Sequence, residues 1–97
     1  MTELSGVIPP STTPFDENGE ILFADAAAQV DWLISQGARG VAVGGSTGEG
    51  HTLTAEEGRD LVAAGVEAAA GRAPIIAGII CDSTREAARR GKMVAEL

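Results

Sequence analysis

The feature that most constrains the fold is a unit that recurs three times along the chain. Each unit has a short apolar run, a polar loop and an amphipathic helix, and the apolar runs are residues 6–8, 40–43 and 74–80. A strand–helix–strand rhythm of this kind predicts parallel strands joined by right-handed crossovers. The second and third runs are apolar throughout, which is typical of strands covered on both faces. Pro9 and Pro10 end the first run, because proline cannot donate to a strand ladder.

The helices are indicated by apolar spacing and by capping residues. The first is predicted over residues 23–36, with an apolar face made of Ala26, Val30, Leu33, Ile34 and Gly37. Thr54 and Glu57 predict a capping box at the start of the second helix, and Ser83 and Glu86 predict another at the start of the third. The buried stripe of the second helix is predicted to consist of Leu61, Val62, Val66 and Ala69.

Two architectures fit this order of elements: an open, doubly wound parallel sheet and a segment of a (β/α)₈ barrel. Periodicity does not separate them. The 97 residues suffice for one small domain, whereas a complete barrel takes about 250 residues. Three strands would also leave two open sheet edges. We therefore expect residues 1–97 to be an incomplete part of a single α/β domain. Trp32, beside the apolar face of the first helix, is expected to pack against the sheet or a neighbour.

Charge and cysteine content narrow the possible partners. The formal net charge of −7 argues against a nucleic-acid partner and against docking on anionic membranes. The single cysteine, Cys81, cannot form an internal disulfide, and no spacing of Cys and His suggests a structural zinc site. Residues 1–10 lack the features of a signal peptide, and no apolar run is long enough to span a bilayer. We expect a cytoplasmic protein without a metal.

The glycine-rich stretch VAVGGSTGEG, residues 41–50, follows the second strand and precedes the second helix. In parallel α/β folds this is the edge at which loops bind ligands. Gly45 and Gly50 have the spacing of a phosphate loop, but His51 stands where that loop needs its lysine. The glycines also lack the spacing of a dinucleotide-binding loop. Neither nucleotide site is favoured.

Two interpretations of the loop remain open. The hydroxyl and backbone N–H groups of Ser46 and Thr47 suit a small carboxylate or an oxyanion, without any cation. Alternatively, the hydroxyls only satisfy the backbone of the turn, and Glu49 ties down a loop amide. Thr13, His51 and Cys81 are further candidates to line the same edge.

The combination of motifs resembles the dihydrodipicolinate synthase/N-acetylneuraminate lyase family. TPFDENGEI (13–21), GGSTGEG (44–50), LTAEE (53–57) and PIIAG (74–78) occur in the order and at the spacing typical of that family. The resemblance covers the whole chain but only about the first third of the family's barrel domain. It implies a (βα)₃ segment of a TIM (β/α)₈ barrel with parallel strands.

The resemblance also implies class I aldolase chemistry. A lysine on a later strand of the family's barrel forms a Schiff base with pyruvate, which then condenses with an aldehyde, as in dihydrodipicolinate synthesis, or is released by the reverse cleavage, as in N-acetylneuraminate lyase. By position, Ser46 would relay protons, and Thr47 with the backbone N–H of Gly48 would bind the pyruvate carboxylate. The resemblance implies no cofactor, and it implies a homo-oligomer, which is a tetramer in the family.

The chain lacks two residue types that the family's chemistry requires at defined places: a relay tyrosine and a lysine on a strand. It has no tyrosine for the proton relay, and its only lysine, Lys92, falls in the third helix rather than on a strand. A Schiff-base lysine must be desolvated or otherwise shifted to a lower pKa, and Lys92 lies on a polar helix face. We therefore expect the nucleophile outside these residues. The alternative from another class is a non-catalytic, truncated barrel module.

Overall fold

The computed structural model describes residues 3–97 and contains a small parallel sheet with three helices packed around it. Its elements are α1 (Phe23–Ser35), β1 (Val41–Val43), a 3₁₀ turn (Gly50–Thr52), α2 (Ala55–Ala69), β2 (Ile75–Ala77) and α3 (Thr84–Ala95). Residues 1–10 were expected not to be a signal peptide, and the first two of them, Met1 and Thr2, lie outside the described residues. Within residues 3–97, none of the helices has the length and apolar character required to span a bilayer.

β1 lies at the centre of the sheet and is paired on both sides. β2 runs parallel to it, with Val41 opposite Ile75 and Val43 opposite Ala77. On the other side, Ala42 N donates to Pro9 O at 3.0 Å and Ser11 N donates to Ala42 O at 2.8 Å. The strand predicted at residues 6–8 is therefore wrong in detail, since the pairing is a parallel bridge between Pro10 and Ala42. Pro9 faces β1 but has no N–H to donate, which interrupts the ladder.

The core lies between α1, α2 and the sheet. Its buried apolar residues are Ile21, Ala26, Val30, Val41, Val43, Leu53, Leu61, Val62 and Ala69. The predicted stripe of α2 is confirmed at Leu61, Val62 and Ala69, but Val66 is 37% exposed. α1 packs closely against α2, whereas α3 packs against α2 only sparsely. The stripe is therefore not covered along its whole width.

The remaining apolar segments are more exposed than their composition predicts. The third run forms a strand only over Ile75–Ala77, and Ile79 and Ile80 beyond it are each more than a third exposed. β2 has a strand neighbour on one side only, so its residues are half-buried rather than covered on both faces. Trp32 is 60% exposed. The sheet is therefore not the surface that Trp32 packs against, and Trp32 borders an open cavity beside Pro10. Packing of Trp32 against a neighbour stays a prediction.

The helix starts show one complete capping box and one incomplete one. Glu57 N donates to Thr54 Oγ1 at 3.1 Å and Thr54 N donates to Glu57 Oε1 at 2.8 Å, as predicted for α2. At α3, Glu86 N donates to Ser83 Oγ at 3.0 Å. The Glu86 carboxylate does not return to Ser83, so the second half of the predicted box is wrong. Two arginines one turn further along compete successfully for that carboxylate.

The loops that follow β1 and β2 are packed backbone against backbone. A Cβ added to Gly78 would lie 2.5 Å from the carbonyl carbon and oxygen of Gly44, and one added to Gly50 would overlap the same carbonyl oxygen. Only glycine leaves room for this approach. The close contact joins the ends of the two strands and brings both loops to one edge of the sheet.

We expect Gly78→Ala to lower the free energy of unfolding by about 1–3 kcal/mol, because the added methyl group meets rigid backbone. The measurement is urea unfolding followed by circular dichroism. The matched control is Gly58→Ala in α2, where an added Cβ meets nothing within 4 Å; it should raise stability by up to about 1 kcal/mol, since alanine favours helix. Equal stability of Gly78→Ala and the unsubstituted chain would contradict the close approach.

An ion-pair cluster stabilises the first turns of α3. The Glu86 carboxylate accepts from Arg89 Nη2 at 2.7 Å and from Arg90 Nε at 2.9 Å. Hydrogen bonds from the Arg89 side chain, then from Arg90, lower the pKa of Glu86 from 4.5 to about 2. Arg90 also reaches the Leu53 carbonyl at 3.4 Å, which links α3 to the segment before α2.

We expect the stabilising effect of Glu86 to depend on pH. Because the folded-state pKa lies below the unfolded one, the contribution is complete above about pH 4.5 and is lost as the pH falls towards 2. The difference in thermal midpoint between the unsubstituted chain and Glu86→Gln should therefore shrink across this range. Glu67→Gln, at an exposed position without an ion pair in residues 3–97, is the control. A difference in thermal midpoint that persists unchanged at pH 2 would refute the lowered pKa of Glu86 in the folded state.

Candidate functional site

The candidate site is the loop between β1 and α2, residues 44–50, at the carboxyl end of the sheet. β1 ends at Val43, whose carbonyl accepts from Gly78 N at 2.8 Å, so the loop after β2 is tied to the same edge. The capping box at Thr54 starts α2 soon afterwards. The loop is thus held between the end of a strand and the start of a helix, as the sequence predicts.

Backbone hydrogen bonds fold the loop into a tight turn. Glu49 N donates to Ser46 O at 3.1 Å and Gly50 N donates to Gly45 O at 2.9 Å. Thr52 Oγ1 donates to Glu49 O at 2.7 Å. Glu49 has a φ of +59°, in the left-handed region that residues other than glycine rarely adopt. The turn is therefore closed by its own backbone and is held in an unusual conformation.

Ser46 and Thr47 are exposed on this turn. Within residues 3–97, neither hydroxyl donates to or accepts from another group, and the Glu49 carboxylate likewise binds no amide. The interpretation that these side chains only satisfy the turn is therefore wrong for the described part of the chain. Their hydroxyls are available to a ligand.

The backbone adds donors beside these hydroxyls. Across residues 3–97, the successive N–H groups of Ser46, Thr47 and Gly48 reach no protein acceptor, although Gly48 is buried. Buried backbone donors are almost always paired, so the N–H of Gly48 is the one that calls for a partner, whereas those of Ser46 and Thr47 belong to exposed residues. Successive N–H groups next to hydroxyls form a cluster that suits an anion such as a carboxylate.

Thr13 lies beneath this turn rather than on its rim. Its side chain is buried, and Oγ1 donates to the Gly48 carbonyl at 2.6 Å across 35 positions of sequence. The sequence indicated Thr13 only as one candidate to line the edge. The run Ser11-Thr12-Thr13 gave no signal that would single out Thr13, since Thr12 beside it is exposed.

The other candidate residues do not join the turn. His51 is exposed within the 3₁₀ turn, and Cys81 Sγ donates to Ser83 O at 3.6 Å. Lys92 is exposed on α3 and lies on no strand, as predicted. No group of three His, Cys, Asp or Glu side chains in residues 3–97 is arranged to hold a metal ion.

Comparison with known proteins identifies the family. The model of the dihydrodipicolinate synthetase family matches residues 3–97. The 4-hydroxy-tetrahydrodipicolinate synthase of Exiguobacterium sp. is 41% identical over 93 residues, which is 96% of this chain and 32% of that protein. The chain spans about a third of the length of the curated relatives it matches.

Solved structures agree with the fold. A dihydrodipicolinate synthase from Acinetobacter baumannii complexed with pyruvate is 34% identical with a TM-score of 0.88, over 94% of this chain and 31% of that one. An N-acetylneuraminate lyase from Mycoplasma synoviae is 32% identical with a TM-score of 0.85, over 94% and 32%. The predicted class, a (βα) segment of a TIM barrel with parallel strands, is confirmed, although only two strands are regular.

We expect the hydroxyls of Ser46 and Thr47 to be dispensable for folding. Ser46→Ala and Thr47→Val should each change the free energy of unfolding by less than about 0.5 kcal/mol, because both side chains are exposed and unpaired within residues 3–97. Thr54→Val is the matched control and should cost about 1 kcal/mol, since its hydroxyl caps α2. Urea titration of the three variants provides the test. A loss at Ser46 or Thr47 as large as that at Thr54 would restore the structural interpretation.

Proposed function

We propose, from the premise that the chain belongs to the dihydrodipicolinate synthetase family, that it forms the N-terminal part of a class I aldolase barrel and holds pyruvate at residues 44–50. The observation that carries the proposal is the donor cluster: two exposed hydroxyls beside three successive N–H groups that find no acceptor in residues 3–97. Such a cluster binds a carboxylate through hydrogen bonds and needs neither a cation nor a metal.

Each residue of the cluster has a proposed role. Thr47 Oγ1 and the N–H of Gly48 hold the C1 carboxylate of pyruvate. This fixes the C2 carbonyl for attack by a lysine amine supplied by the barrel outside these residues, with loss of water as the Schiff base forms. Ser46 Oγ, one residue nearer to the strand, passes protons at the reacting centre. The fixed turn positions these donors before the substrate arrives, which is how positioning lowers a barrier.

The proposed reaction is the condensation of pyruvate with an aldehyde. The relatives named 4-hydroxy-tetrahydrodipicolinate synthase support this direction. A second candidate is the cleavage of a longer keto acid to pyruvate, supported by the likeness to the N-acetylneuraminate lyase from Mycoplasma synoviae. Both reactions use the same carboxylate site. Residues outside the chain would select the aldehyde.

The remaining parts of the proposal concern the whole protein. We propose that residues 1–97 belong to a single barrel domain completed by further strands, which cover the free edges beside residues 7–11 and β2. The complete protein is proposed to act in the cytoplasm as a homo-oligomer, the tetramer implied by the resemblance.

We expect borohydride to trap pyruvate on the complete protein that carries this chain, since borohydride reduces a Schiff base to a stable amine. Digestion and mass spectrometry should place the adduct outside residues 1–97. Thr47→Val should raise the KM for pyruvate, and Ser46→Ala should lower kcat by about 10²-fold, the scale of one proton-transfer group.

The control is Ser35→Ala, which removes an exposed hydroxyl on α1 that donates to Trp32 O, and it should leave KM and kcat unchanged. An adduct on Lys92 would place the nucleophile within this chain and refute the proposal that the Schiff-base lysine lies outside residues 1–97. The absence of any adduct, with the protein folded, would favour the non-catalytic barrel module.

A further inference from the structure

One peptide unit beneath the site is held at both of its polar atoms. The unit joins Gly48 to Glu49. Its carbonyl oxygen accepts from Thr13 Oγ1 at 2.6 Å, and its N–H donates to Ser46 O at 3.1 Å. The first bond is buried and comes from the loop after the 7–11 segment, whereas the second lies within the turn. The orientation of this peptide therefore depends on a residue far away in sequence.

The local backbone preference opposes the observed orientation. Glu49 has a φ of +59°, which costs energy for a residue with a Cβ. Rotation of the peptide plane by about half a turn would bring Glu49 into the ordinary negative range of φ. The same rotation would point the Gly48 oxygen away from Thr13 and towards Ser46 O. A buried hydrogen bond to the Gly48 oxygen is therefore what opposes the flip from outside the turn.

We propose that Thr13 is a positioning residue, which keeps the Gly48–Glu49 peptide turned so that the ligand side of the loop presents donors only. This inference rests on the proposed pyruvate site. In the flipped orientation, the Gly48 oxygen would lie beside the donors of Ser46, Thr47 and Gly48. A carbonyl oxygen there repels a carboxylate and competes for the same N–H groups. Thr13 thus acts on substrate binding without contacting substrate.

The test compares Thr13→Val, which is isosteric but lacks the hydroxyl, with Thr13→Ser, which retains it, in the complete protein. Thr13→Val should raise the KM for pyruvate about tenfold, the equivalent of one hydrogen bond. Its kcat should stay within about threefold, because the lost interaction serves binding. Thr13→Ser should restore KM to within about twofold of the unsubstituted value.

The matched control is Thr12→Val. Thr12 is exposed, and its Oγ1 donates to Gln29 Oε1 at 3.2 Å rather than to the turn. The KM of the Thr12→Val variant for pyruvate should therefore not change. A Thr13→Val variant that loses thermal stability but keeps its KM would overturn the proposal. If Thr13→Val does not fold, Thr13→Cys replaces it as a near-isosteric, weaker donor. An intermediate KM then supports the proposal, and an unchanged KM overturns it.

Hydrogen exchange separates this inference from the proposed function. An unsubstituted protein that folds but does not turn over pyruvate would count against the proposed function. Amide exchange over residues 44–50 still tests the positioning role in that case. Faster exchange in the Thr13→Val or Thr13→Cys variant, restored in Thr13→Ser, supports it, whereas equal exchange in all variants overturns it.

Discussion

The approach of the Gly44 backbone to Gly50 and Gly78 is the contact on which the arrangement of the site depends. It brings the loops after the two strands closer than any side chain would permit. Because the loops meet through backbone, the turn at residues 44–50 has little freedom to open, and its exposed donors are held against the end of the sheet. The glycines at these positions thus give the loop its fixed geometry.

The helices could be predicted well from sequence because their signals are local. The predicted bounds of α1 differ from the observed ones by one residue, and both hydrogen bonds of the Thr54 box are present. The second half of the Ser83 box fails because Arg89 and Arg90 offer Glu86 stronger, charged partners. That competition depends on side-chain geometry within α3, which capping preferences alone do not describe.

Strands and the site depend more on distant partners, and sequence predicts them less completely. The apolar run at residues 74–80 suggested a long covered strand, but pairing on one side only shortens it to Ile75–Ala77. Ser46 and Thr47 could be identified from the composition and place of their loop. Thr13 could not be assigned its place beneath the loop, because its bond to Gly48 joins positions far apart in the chain. A hydroxyl in a loop does not reveal which distant carbonyl it will meet.

The two prolines beside β1 have a consequence for how the sheet can grow. A further strand needs N–H donors along the edge it joins. Pro10 removes one of them from the outer side of residues 7–11, whereas the backbone of Pro9 faces β1. β2 contains no proline, so its outer edge keeps a full set of backbone groups. The two edges therefore differ: the edge at residues 7–11 offers fewer donors to an unspecific strand, and the edge at β2 offers a full set. A strand that completes the sheet beside residues 7–11 must therefore match an edge that lacks the donor of Pro10, which restricts the strands that can pair there.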